Sequence, residues 1–133
     1  MNRFEGLMNA HPRKRYKSFA ATAADTETVW LDCEPTQLVP TDPCPISVWP
    51  EEMFASAVCP DKAIYSIEVH EFCELLIANP NRLIRIFPNG KDQVDTTADV
   101  LLADIKEELK CLRNAIRASM SGFQISLESC IHT

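Results

Sequence analysis

ISVWPEEMFASAVCPDKAIYSIEVHEFCELLIANPNRLIRIF, residues 46–87, is the stretch whose reading decides the fold. Ile46-Ser47-Val48-Trp49 is a run of strand formers closed by Pro50, whose fixed φ and missing N–H suit the opening of a helix. Glu51 and Glu52 then lie at the positive end of the helix dipole, and Phe54, Ala55 and Val58 supply the apolar contacts until Pro60 ends the helix. Lys62 to Ile67 predicts a further strand, leading straight into a helix on which Val69, Phe72, Cys73 and Leu76 share a face. Asn79-Pro80-Asn81 stops that helix. Arg82 to Phe87 predicts another strand, and the density of Leu83, Ile84, Ile86 and Phe87 predicts burial on both its faces. The order strand, helix, strand, helix, strand reads as two crossover units with strands running one way. Their carboxyl ends then share one edge, the edge where open α/β sheets hold ligands. Trp49, Glu51, Glu68, Asn89 and Lys91 are the candidate binding residues there.

Upstream, Phe4, Leu7 and Met8 stand at helical spacing, and Pro12 opens a helix whose apolar face is Tyr16, Phe19, Ala20 and Ala23. Arg13-Lys14-Arg15 with Lys17 puts cations in its first turn, the wrong end for the dipole. The run reads as a solvated face, against the alternative of a surface for an acidic partner. Thr28-Val29-Trp30-Leu31 predicts a strand. Prolines 35, 40, 43 and 45 make 34–45 a stiff loop, extended at most around Leu38-Val39.

Downstream, Pro88-Asn89-Gly90 turns the chain, and Thr96-Thr97-Ala98-Asp99 matches a capping box with Thr96 as cap. The helix it opens, near 97–120, carries Ala98, Leu101, Leu102, Ile105, Leu109, Leu112 and Ile116 on one stripe. Burial is expected at Leu102, Ile105, Leu109 and Leu112, with Gly122 just past the helix end. Phe123, Ile125 and Leu127 then alternate with polar residues, the period of a strand. The expected fold is α+β: one domain over 1–120, a small mixed sheet of four to five strands flanked by helices, and a strand-like extension over 121–133.

A chain of 133 residues buries roughly two-thirds of its unfolded surface, enough for a core without staples. Hydrophobic residues at 46% and charged residues at 24% are globular values. No apolar run reaches membrane-span length and the N-terminus lacks an apolar leader, so the expectation is a cytoplasmic protein with no membrane partner. The net charge of −6 argues against nucleic acid, which needs a basic footprint. Six cysteines (33, 44, 59, 73, 111 and 130) without a CxxC pair are expected to be reduced thiols.

Three glycines, Gly6, Gly90 and Gly122, exclude the common phosphate-cradling loops, which need clustered glycine. Neither a GxSxG elbow nor an HExxH helix is present. No catalytic residue, metal ligand or cofactor is therefore assigned. His70 and Cys73, three apart on a helix, read as half of a zinc or thiolate site or as an ordinary histidine beside a buried cysteine. The second reading is preferred, since Cys130 and His132 would complete the first only if the tail folds back. Trp30 and Trp49 read as core packing, and Trp49 as a partner anchor if it faces a groove.

The order of several motifs resembles a bacterial family catalogued as domain of unknown function 2750. They are Met1-Asn2-Arg3-Phe4-Glu5, Arg15-Tyr16-Lys17-Ser18-Phe19, Asp25-Thr26-Glu27-Thr28-Val29-Trp30, Val48-Trp49-Pro50 with Phe54-Ala55, Ile86-Phe87-Pro88-Asn89, and Leu102 to Leu109. The resemblance spans about residues 1 to 112, and the section from Trp49 to Gly90 is distantly similar in pattern to SseB-like domains, linked to secretion and protein interaction. It implies no activity. The chain departs from the family in its basic residues 11–15, its proline-rich 34–45 loop and its residues 113–133.

The functional expectation is a non-enzymatic interaction module, immunity-like or regulatory, partnered by another protein and by a second copy through the C-terminal strand. The alternative is a small-molecule-binding or hydrolytic protein using the same sheet edge. A polar enclosed pocket there favours the alternative; a flat apolar patch favours the module.

Overall fold

The computed structural model describes residues 3–35 and 45–124. Leu38-Val39, Cys44 and the tail 125–133, with Cys130 and His132, lie outside them. Two helices, α1 (Arg3–Met8) and α2 (Pro12–Thr26), precede β1 (Thr28–Leu31). β2 (Ile46–Trp49), α3 (Glu52–Val58), β3 (Tyr65–Glu68), α4 (Val69–Ala78) and β4 (Leu83–Ile86) follow. β5 (Val94–Thr97) and α5 (Ala98–Gln124) complete an α+β fold with a five-stranded mixed sheet in the order β3-β1-β2-β4-β5.

β1 is antiparallel to both β2 and β3, while β2 and β4 are parallel neighbours. β2, β3 and β4 therefore run one way and end at one edge, but β1 separates β3 from the other two. The strand expected from Lys62 begins at Tyr65 and lies at the edge, where only Ile67 is buried. β5, Val-Asp-Thr-Thr, pairs antiparallel with β4 and was not expected from its polar sequence. It takes Thr96 and Thr97 into the sheet, so α5 starts at Ala98, and the Thr97 hydroxyl donates to the Asp99 carboxylate.

Val29, Leu31, Ile46, Val48, Ile67, Ile84 and Ile86 alternate onto one sheet face and are buried, since successive strand residues point to opposite sides. α2 and α4 pack against this sheet and α5 packs against both helices. Phe19, Ala23, Phe72, Leu76, Leu101 and Ile105 join the strand residues in one cluster. β4 is not buried on both faces: α2 packs on it and Ile84 and Ile86 are buried, while Leu83 and Arg85 alternate onto the other face and are exposed and half-exposed. β2 is buried at all four positions.

In α5 the fully buried row is Ala98, Leu101 and Ile105. Leu102, Leu109 and Leu112 are half-buried, a quarter-turn correction to the expected centre of the stripe. The helix also runs through Gly122 to Gln124, since one glycine costs only about 1 kcal/mol in a helix and does not end it alone. Phe123 and Gln124, expected in a strand, are its last residues.

Ile105 has no exposed surface, so Ile105→Ala is expected to cost about 2–5 kcal/mol through lost burial and the cavity left behind. A urea melt checks this; an unchanged midpoint would contradict the placement of α5.

Candidate functional site

The parallel pair β2–β4 puts Ser47 directly opposite Arg85. Both alternate onto the face opposite Val48, Ile84 and Ile86, as does Trp49. These three floor an open cleft of about 410 Å³. Val58, Cys59 and Lys62 form one wall at the end of α3, and Pro88, Gly90, Lys91 and Gln93 form the other. Asp32 and Pro45 close a third side.

The charges are uneven. Lys62, Arg85 and Lys91 face the opening, with Asp32 the one carboxylate among its described lining residues. Asp32 is committed inward, its Oδ1 accepting the Ser47 N–H at 3.2 Å and its Oδ2 lying 3.8 Å from Lys62 Nζ. Arg85 is steered by Asp95 across the β4–β5 pair, Nε to Oδ1 at 3.2 Å. The Cys59 thiol is pushed up by burial, and the Asp32 charge adds to this against the opposing pull of Lys62. It stays a protonated, weak nucleophile at neutral pH. No histidine lines the cleft among the described residues. Its chemistry is that of holding an anion.

The far wall is held by long-range bonds. Phe87 has φ +48°, a left-handed conformation rare for a bulky side chain. Its N–H donates to Val48 O at 2.8 Å and its ring lies 4.8 Å from that of Phe54. The Trp49 indole N–H donates to Pro88 O at 2.9 Å. Asn89 Oδ1 accepts the N–H groups of Lys91 and Asp92, at 2.9 and 3.0 Å, and its Nδ2 donates to Met8 O at 2.7 Å.

Behind this turn Arg15 is wholly buried. Its Nε donates to Phe87 O at 2.9 Å, a terminal nitrogen to Asp92 O at 2.7 Å and to the Asp92 carboxylate, and the other to Ala10 O. This corrects the reading of 13–17 as a solvated basic face: Arg15 points inward as a structural cross-link, while Arg13 and Lys17 line a second cleft of about 300 Å³. There Tyr16 donates to Asp104, and burial together with that carboxylate pushes the phenol well above its usual range. Two bases and two carboxylates leave this second cleft balanced.

Of the residues proposed from sequence, the structure brings Trp49 and Lys91 together on the cleft. Trp49 is fully buried, so it serves as core and cleft floor at once. Asn89 lies within the turn with its amide engaged internally. Glu51 is the N-cap position of α3, and Glu68 caps α4 three strands away from β4. Glu68 Oε1 accepts the N–H groups of His70 and Glu71, and its Oε2 lies 2.6 Å from His70 Nδ1. His70 is thus partnered by Glu68 and not by Cys73, whose thiol is buried. Sequence reasoning missed Asp32, Ser47, Cys59, Lys62 and Arg85. Ser47 and Arg85 carried a signal, each a polar residue interrupting an otherwise apolar strand.

Among the described residues no three metal-ligating side chains gather, cysteines 59, 73 and 111 are free thiols, and no helix is long and apolar enough to cross a membrane. No family model, curated protein or solved structure matches the chain.

Two outcomes follow from these contacts. Arg15→Lys keeps the charge but loses the planar fork, and leaving buried carbonyls unpaired is expected to cost about 2–3 kcal/mol in a denaturant melt; a change within error would remove Arg15 from this role. The His70 N–H, followed by the His70 side chain and the Glu71 N–H, holds the Glu68 carboxyl below the usual range. Because the folded value is depressed, its contribution to the start of α4 is present above the ordinary glutamate range and lost as pH falls through the folded value. Carbon-detected NMR titration of Glu68 should show that lowered midpoint, and Glu68→Ala should abolish the coupled shift of the His70 amide.

Proposed function

We propose that the protein is a non-enzymatic interaction module whose cationic cleft receives an acidic segment of a partner protein. One observation supports this above the others: Lys62, Arg85 and Lys91 gather around a single opening in a chain of net charge −6. Low-dielectric walls focus such a field and raise the local concentration of anions. The cleft is open and chiefly polar, which suits carboxylates on an extended segment; small-molecule pockets are mostly apolar. The protonated Cys59 and the absence of histidine from the described lining argue against hydrolysis. The role is immunity-like or regulatory, in the cytoplasm, and the second partner is another copy of the chain. The motif resemblance to domain of unknown function 2750 adds no activity to this reading.

The small-ligand reading is favoured by the cleft volume of about 410 Å³, within the span of ligand sites, roughly 300–1,000 Å³. Lys62 and Lys91 are exposed, so reversing them leaves the core intact. A fluorescent hexaglutamate peptide should bind the wild-type protein, and Lys62→Glu with Lys91→Glu should weaken it at least about tenfold, ~1.4 kcal/mol. Equal binding by both proteins, or a melting-temperature rise with anionic metabolites and none with the peptide, would reject the module.

A further inference from the structure

α5 outlasts the domain that holds it. Every side chain from Arg113 to Ser119 is exposed, and Ile116 keeps 54% of its surface in solvent. The apolar stripe nevertheless continues: 102, 105, 109, 112 and 116 alternate steps of three and four, the spacing of a helix–helix seam. Lys110, Arg113 and Arg117 flank it, with no carboxylate between 109 and 124. An isolated helix this short is marginal in water, so the segment needs a covering surface.

The place where α5 leaves the domain is acidic. α5 starts beside the end of α4, Ala98 N–H donating to Arg82 O at 2.9 Å and Asp99 N–H to Pro80 O at 3.1 Å. It runs back along α4, with Lys106 near Cys73, and passes the start of α4. There α2 also ends, Val69 N–H donating to Glu27 O at 2.9 Å. Asp25, Glu27, Glu68 and Glu71 therefore rim the base of a basic arm.

We propose that two copies pair through these arms about a two-fold axis, antiparallel and crossing where Ile116 of one copy meets Ile116 of the other. The inference rests on the self-association part of the reading above. A parallel pairing would run the second helix along the first half of α5, where Ala98, Leu101 and Ile105 are already buried in their own core, whereas an antiparallel crossing at Ile116 diverges from it. The antiparallel one carries each arm past the other's tip toward the other copy's acidic rim, so Arg117 meets carboxylates and not the second arm's cations. Opposite charges face each other twice by symmetry, as an isologous contact requires.

Light scattering of the full chain at micromolar concentration should give a dimer that weakens as salt is raised. Ile116→Glu should give a folded monomer whose domain keeps its urea midpoint, since Ile116 is 54% exposed and lies outside the core cluster. Arg113→Glu with Arg117→Glu should also be monomeric, and mixing it with Asp25→Lys, Glu71→Lys protein should restore a dimer. A dimer that survives Ile116→Glu would overturn the helix seam and leave self-association standing. A monomeric wild-type chain would overturn both.

Discussion

A guanidinium carries five N–H donors and no acceptor, and once withdrawn from water it must find oxygens in fixed places. Arg15 finds Ala10 O, Phe87 O, Asp92 O and the Asp92 carboxylate, the last three more than seventy residues away in sequence. That requirement fixes where α2 starts relative to the turn after β4, and the turn in turn fixes Phe87 in its left-handed conformation. Holding a bulky residue there costs about 1–3 kcal/mol and persists only when neighbours over-determine it. Here the neighbours are the Val48 carbonyl, the Phe54 ring and Arg15 itself, whose charge also lies 6.0 Å from the centre of the Phe87 ring. A methyl-terminated side chain at position 15 would leave three carbonyls without donors, so apolar replacement gains little despite the cost of burying a charge.

The turn held in this way is also a wall of the cationic cleft. Pro88 anchors to the Trp49 indole, and Asn89 bridges the turn to Met8, so Gly90 and Lys91 are presented from a rigid support. On the other wall Lys62 rests near Asp32, and Asp32 also takes the Ser47 N–H. Lys62 and Arg85 thus each lie beside a carboxylate, while Lys91 is placed by its backbone N–H on Asn89. Arg85 is the most constrained, set by register opposite Ser47 and by Asp95 on the neighbouring strand. Preorganised charges need little rearrangement when an anion arrives, which favours binding over a loose surface attraction.

Much of this fold was legible because its helices announce themselves by punctuation and period. Pro12, Asn79-Pro80 and the stripe from Ala98 to Leu112 each act within a few residues. The strands of the 46–87 stretch were found for the same reason, as apolar runs between proline and asparagine. What escaped was set by distant partners. β5 has a polar edge-strand sequence that becomes a strand only because β4 offers it a ladder. The insertion of β1 between β2 and β3 is a pairing choice that no local pattern records. Arg15 looked like one cation among four, since nothing within its helix distinguishes it from Arg13 or Lys17; its burial comes from residues 87 and 92. The cleft was half visible: Trp49 and Lys91 were reached by following the strand ends, while Lys62, Arg85 and Asp32 needed the register.

The distribution of charge carries the functional argument further than the total does. An acidic chain with scattered bases would repel anions everywhere, and its net charge would serve solubility. Here six of the thirteen Lys and Arg residues fall into two groups, three on the cleft and three on the outer half of α5, while carboxylates collect at the joint of α2, α4 and α5. On the cleft Lys62 is offset in part by Asp32 and Arg85 by Asp95. The thiol beside them, Cys59 on the α3 wall, is pushed up by burial. The acidic rim and the basic arm of α5 are complementary in sign and displaced along one helix. Within one copy Arg117 lies about a turn and a half beyond the last half-buried position, Leu112, and the pairing proposed above would bring it to the rim of a second copy.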